Sequence, residues 1–358
     1  MSKKLQVTLT TSLTLLEQFR GAISSPIGDV TSAELSGKDA LPLLSASATT
    51  LKSQATKLSL VAINSPFTPS AVTTVLSAVN ESVLPSLVTA ALLVTPADHT
   101  KAFQTEVRVL VQTTLKETTA LLQEVQNIAK KDEEAQKKEG DLSQSEKDAV
   151  TIAAGRLWES CDALIDLAAK GVVGFVIRRV EEWRDLVRDA VQEIEEWDPD
   201  EEGDEFFDEL LSDDGKADDG SEEDEDEDTA ALHAQKKSIL RVLKPVSQIY
   251  PAIVANRLKK TSNASASVGK LESLMKELQQ IPGHVDEIAG ALYEANLEGS
   301  VQHLRKTKDC AVKAVDLATL PLDVTGSADT QQGKEDKFTA WARTWLKVME
   351  EVSKSVSD

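Results

Sequence analysis

The feature that most constrains this chain is where its charge lies. The formal net charge is −21 over 358 residues, yet Glu195 to Asp228 alone holds 21 acids and a single base, Lys216. Residues 1–194 carry 24 acids against 20 bases, and residues 229–358 carry 15 against 18. Like charges at such density cannot pack together, and Asp213–Asp228 has no apolar residue larger than Ala217. A run of this kind cannot offset its ordering entropy by burial. The expectation is therefore two near-neutral folded domains, residues 1–196 and 230–358, separated by an acidic, largely disordered linker over 197–229. Because the acidity is local, global charge says little about partners of the folded parts.

Both flanks are patterned for helix. Val172, Val176, Val180, Trp183, Val187, Val191 and Ile194 step by three or four, which keeps one face apolar at 3.6 residues per turn. The same logic links Phe338, Trp341, Trp345, Val348 and Val352, then Val107, Leu110, Leu121, Val125 and Ile128, and also Ile239, Leu243, Val246, Tyr250 and Ile253. Pro245 should stiffen or kink the last of these. Leu5, Val7 and Leu9 alternate like a strand, and Ser45–Thr74 is rich in poor helix formers. No Asn-Gly or Asp-Gly turn pairs two strand-like runs, so helices are expected there too. Breakers at Ser65-Pro66, Thr95-Pro96, Gly140, Asp198-Pro199, Ile281-Pro282 and Leu320-Pro321 leave helices of about 20 to 30 residues. The expected fold class is all-α, with two elongated helical bundles.

The acidic run contains the outline of a calcium loop. Asp198, Asp200, Glu202, Gly203 and Glu209 fall at the ligand and turn positions of an EF-hand. Pro199 at the second position, Glu202 for a shorter ligand and Glu205 in place of an anchoring aliphatic count against it, and no second hand is visible. Ligand matches arise cheaply among so many acids, so the run reads as a solvated linker with no metal site. Phe206, Phe207, Leu210 and Leu211 form an apolar hook at helical spacing within it. They form either a short helix laid back on a domain or an acidic-hydrophobic peptide for a partner's groove, and they are the candidate partner-binding residues. Ser221, followed by Glu222-Glu223-Asp224, has the pattern of an acid-directed phosphorylation site.

Signatures of catalysis are missing. His99, His233, His284 and His303 are scattered without metal-ligand spacing, and Gly269-Lys270 lacks the rest of a phosphate loop. Gly171-Val-Val-Gly174 reads as a tight helix junction. No enzyme activity and no cofactor are expected. Cys161 and Cys310 are far apart and fit reduced thiols. No secretory leader is apparent, and the apolar stretches near Leu93 and Phe175 fall short of a bilayer span, so no membrane association is expected. Lys236, Lys237, Arg241 and Lys244, then Arg257, Lys259 and Lys260, form basic clusters without interleaved aromatics. They are expected to face the acidic run and not to contact nucleic acid directly.

Three segments in order resemble the cyclin-D-binding family, also called cyclin-D-interacting or maternal Id-like proteins. They are residues 49–93, with Leu51, Thr56, Leu58, Leu60, Val61 and Pro66; AAGRLWESCDAL, with Trp158 and Cys161; and the Trp197-Asp198-Pro199 acidic run. The resemblance implies an all-helical, non-enzymatic protein of nucleus and cytoplasm that binds cyclin-like or helix–loop–helix regulators and acts on the cell cycle or transcription. No separate helix–loop–helix module is visible, because the apolar stripes are committed to bundle packing. A vinculin-like cytoskeletal or adhesion scaffold is the alternative, since long Ser/Thr-rich helical bundles also suit it. Oligomeric state stays open.

Overall fold

Leu5 and Leu9 are four apart, a spacing that strand and helix periods share, and Val7 between them decides the matter. In the computed structural model both leucines are buried while Val7 is 65% exposed, as one helix face requires. The structure describes residues 2–25, 39–135, 142–200, 222–264, 266–323 and 336–354. Those residues are almost wholly helical, with no strand among them beyond one antiparallel bridge between Ala266 and Asp323. The chain divides into two compact units, Met1–Phe175 and Val176–Asp358.

The N-terminal unit is built from α1 (Lys3–Ser24), α2 (Ala40–Ile63), α3 (Pro69–Ala78), α4 (Leu84–Leu93), α5 (Lys101–Ala135) and the first part of α6 (Gln144–Glu196). Ser2 caps α1, its hydroxyl accepting from the Leu5 amide at 3.2 Å. Glu146 reaches back over the start of α6 to Ser143. The Ser143 amide and hydroxyl both donate to Glu146 Oε2 at 2.8 Å, and Lys131 pairs with the same carboxylate. The threonines that weaken α2 and α3 on propensity bond back to the preceding turn. The Thr49, Thr56 and Thr73 hydroxyls donate to the carbonyls of Ser45, Lys52 and Pro69.

Residues Val79–Val83 form a π-helical turn that joins α3 to α4 into one helical run, Pro69–Leu93, of 25 residues. By length and composition this run is apolar enough to cross a membrane, which corrects the sequence expectation. The polar Asn80, Glu81 and Ser82 interrupt the apolar run in sequence, but the helix continues through them. Val72, Leu76, Val83, Leu84, Leu87 and Val88 are buried, in helices that pack on α1, α2 and α5. They are core.

Gly171 breaks α6 with φ 65° and ψ −167°, a conformation open essentially to glycine. The Gly171–Gly174 stretch is therefore a helix junction. Beyond it, every residue of the stripe Val172 to Ile194 is buried. The division between units falls at Phe175/Val176, inside α6, whereas the sequence reading carried the first domain to residue 196. The reason is that 176–196 packs with elements beyond the acidic run.

Those elements are α7 (Glu222–Ser247), α8 (Ile249–Asn256), a 3₁₀ turn (Leu258–Lys260), α9 (Val268–Leu278), α10 (Gln280–Tyr293), α11 (Leu297–Thr319) and α12 (Lys337–Lys354). In this C-terminal unit, α11 is central and packs against α7 to α10 and α12. The acidic stretch is thus divided: residues 201–221 lie outside the described residues, and the chain is helical from Glu222. Acidic sequence at a helix start is favoured by the macrodipole. Pro245 lies within the last turn of α7, which ends two residues later. Trp345 Nε1 donates to the Pro245 carbonyl at 2.8 Å and serves that helix end.

Arg257, read from sequence as part of a basic cluster, is buried and structural. Its Nε donates to the Ala318 carbonyl at 2.5 Å and its Nη2 to the Thr319 carbonyl at 3.0 Å, closing the end of α11. Nη2 also reaches Asp336 Oδ2 at 2.9 Å, and the guanidinium lies 4.6 Å from the Phe338 ring centroid. Lys270 is likewise occupied, donating to the Pro321 carbonyl at 2.7 Å.

Candidate functional site

The residues Trp197-Asp198-Pro199-Asp200 follow α6 and are met by polar side chains of α7, Lys236 and His233. α6 ends at Glu196, where the Trp197 amide donates to the Glu193 carbonyl at 2.9 Å. Asp198 precedes Pro199, and that position disfavours helical backbone. Glu193, Glu195 and Glu196 crowd the end of the helix where the dipole disfavours anions. The C-terminal unit compensates them. Lys244 Nζ on α7 meets Glu195 Oε1 at 2.7 Å, and Tyr293, the last residue of α10, donates its hydroxyl to Glu193 at 3.0 Å. Burial and that carboxylate push the Tyr293 hydroxyl up to about 12.

Trp197 then turns away, its ring edge-on to Tyr293 with centroids 5.2 Å apart, and its carbonyl accepts from Lys236 Nζ. The next turn closes on itself, the Asp200 amide donating to Asp198 Oδ1 at 3.1 Å. His233 on α7 meets it from the other side. Its Nε2 lies 3.0 Å from Asp200 Oδ2 and 3.9 Å from Asp198 Oδ1. All three side chains are open to solvent. Beside them, His233, Lys236, Lys237, Leu240, Arg241 and Lys244 line a shallow groove of about 530 Å³ along α7. Basic residues with an apolar floor suit an acidic, partly apolar segment.

The sequence-predicted sites fall on both sides of what is described. Phe206, Phe207, Leu210, Leu211 and Ser221 lie outside the described residues, as do Glu202, Gly203 and Glu209 of the calcium-loop outline. Asp198 and Asp200 of that outline are described, and their added partner is His233, not an acid. The histidines are less scattered than their numbering suggests. His284 on α10 and His303 on α11 stand edge to face with centroids 5.8 Å apart, and burial, with His303 and Lys306 nearby, lowers the His284 pKa. His99 is buried and stacked on Phe103, and burial lowers its pKa as well. Cys161 and Cys310 are free and buried; burial pushes the Cys161 thiol up to about 12. No spacing rule links His233 to Asp200 or His284 to His303, because the first pair is made by a turn meeting α7 and the second by two helices meeting side by side.

Residues 43–200 match the family model described as Grap2 and cyclin-D-interacting, N-terminal. Over that span the chain is similar to this family. The match ends on Asp200, so the family region contains the whole Trp197–Asp200 turn but not the helix α7 that holds it. An uncharacterised protein of the fission yeast Schizosaccharomyces pombe is 24% identical over 208 residues, covering 56% of this chain and 55% of its own length. The chain thus spans about half of that relative. Within residues 43–200, the segment 49–93 supplies most of α2 together with α3 and α4, and Leu51 and Leu58 are core, whereas Leu60 is 51% exposed. Trp158 and Cys161 lie on α6, near Asp162, which pairs with Lys52 at 2.6 Å.

Proposed function

We propose that the chain is a non-enzymatic interaction protein that binds cyclin-like or helix–loop–helix regulators and acts on cell-cycle progression or transcription, in nucleus and cytoplasm. The observation that carries this reading is the family match over residues 43–200. The groove along α7 supports a binding role, since it is shallow, rimmed by cations and without an enclosed polar cavity. The hook Phe206, Phe207, Leu210 and Leu211 joins the turn to that helix in sequence and is the segment offered to the partner.

The test is direct binding of the purified full chain to an immobilised D-type cyclin, beside an actin co-sedimentation arm. Saturable cyclin binding that weakens at least tenfold when the four hook residues become alanine supports both the partner class and the hook. Cyclin binding untouched by that change retains the partner and rejects the hook. Sedimentation with actin filaments and no cyclin binding rejects the reading in favour of a cytoskeletal scaffold.

A further inference from the structure

We propose that Asp198, Asp200 and His233 form a binding site for a divalent transition metal, zinc being the expected ion, that clamps the turn after α6 onto α7. Among the described residues this is the group of metal-ligating side chains whose ligand atoms converge, all lying within 4.8 Å of one another. The donor set is one imidazole nitrogen and two carboxylate oxygens. That set suits zinc with open positions for water, whereas calcium takes six to eight oxygens and magnesium keeps most of its water.

The distances fit as well. Zinc–ligand bonds of about 2.0–2.1 Å in tetrahedral geometry place neighbouring donors about 3.3 Å apart. His233 Nε2 stands 3.0 Å from one carboxylate oxygen and 3.9 Å from the other, on either side of that value. An ion entering here replaces one His–Asp contact and draws in the second carboxylate by a side-chain rotation.

The ligands are also held before any ion arrives. The Asp200 amide fixes Asp198 Oδ1, Lys236 anchors the Trp197 carbonyl, and Trp197 lies against Tyr293. Preorganisation of this kind reduces the ordering cost of binding. The opposing charges are those of α7 itself. Lys236 is directed at the Trp197 carbonyl and Lys244 at Glu195, and Lys237, one turn from His233, is exposed to screening water. Asp198-x-Asp200 is the part of the calcium-loop outline that the fold uses. Its third ligand comes from another helix, which changes the class of ion.

The test is calorimetric titration of the chelator-treated full chain with zinc chloride, with calcium chloride as a second arm. Expected is one zinc equivalent whose affinity falls about tenfold or more in His233→Ala and in Asp200→Asn, as loss of a ligand requires. His233→Ala keeps every acid, so it separates this site from diffuse binding along the acidic run. A loss below tenfold in His233→Ala overturns the proposal, and so does calcium binding as tight as zinc. In the unaltered chain, the ring-proton resonances of His233 must shift on zinc addition. Resonances that stay in place while zinc binds also overturn it.

Discussion

Replacing Arg257 by alanine should open the C-terminal unit locally at the end of α11 and the start of α12. The side chain is 9% exposed and donates to two carbonyls that have no later helical amide to serve them. Each buried acceptor left unpaired costs about 1–3 kcal/mol. The pair with Asp336 adds little, about 0–1 kcal/mol, because that carboxylate is 48% exposed and screened by water. Stacking on Phe338 contributes about 1 kcal/mol more. Those terms are not additive, and about 3 kcal/mol is a fair expectation for Arg257→Ala. Two compact units make a single unfolding free energy ill-defined, so amide exchange is the better assay. Peptides covering 310–320 and 337–349 should exchange about a hundredfold faster, with α1 to α5 unchanged. Arg257→Lys keeps the charge but not the fork, and should fall between the two. Acceleration below about fivefold in Arg257→Ala, equivalent to about 1 kcal/mol, would refute the view that this side chain closes α11.

Acid should destabilise both units in the same window. The Lys131 ammonium and the Ser143 hydroxyl and amide hold the Glu146 carboxyl at about 2. Burial tends to raise Asp336, but the Arg257 guanidinium and the Thr339 amide outweigh it and hold that carboxyl at about 2. Folded values below the unfolded ones mean stabilisation that is complete above about pH 5 and lost as pH falls towards 2; circular dichroism of Glu146→Gln and Asp336→Asn should show a flatter acid titration than the parent chain. Gly171→Ala places a side chain at φ 65°, ψ −167° and should cost about 1–3 kcal/mol, read as a lower melting temperature. Trp345→Phe keeps the packing and removes the bond to the Pro245 carbonyl, for a local loss of about 1 kcal/mol read as about fivefold faster amide exchange at the end of α7.

Features set by local period were legible in the sequence. The stripes Val172–Ile194 and Ile239–Ile253 are buried residue for residue, because a helix presents the same face wherever it packs. The errors within stripes are one-residue choices between i+3 and i+4. Met349 is buried where Val348 was expected, and Val111 where Leu110 was. The strand-like start was helix because Leu5 and Leu9 satisfy both periods and only Val7 distinguishes them. The site was legible on one side only. Asp198, Pro199 and Asp200 stop α6 by local chemistry, but His233 reaches them through helix packing across 33 positions of chain. Arg257 looked like surface charge for the same reason: its partners, Ala318 and Asp336, are distant in sequence.

The end of the family region carries a final expectation. Residues 43–200 match the family, yet the compact N-terminal unit ends at Phe175. A chain cut after Asp200 would keep Val176, Val180, Trp183, Val187, Val191 and Ile194 and lose the helices of the unit to which they belong. Each such side chain loses about 1.5–3 kcal/mol of burial when exposed, far more than helix propensity returns. Glu193, Glu195 and Glu196 would also face the helix dipole without Lys244 and Tyr293. The 1–200 fragment should therefore keep α1 to α5 folded while 176–200 exchanges its amides within seconds and is cut by trypsin at Arg178, Arg179 and Arg184. Separately expressed residues 201–358 should restore protection on mixing. Protection of 176–196 in the fragment alone would mean that α6 needs nothing beyond residue 200, and that the division at Phe175/Val176 lies within one folding unit.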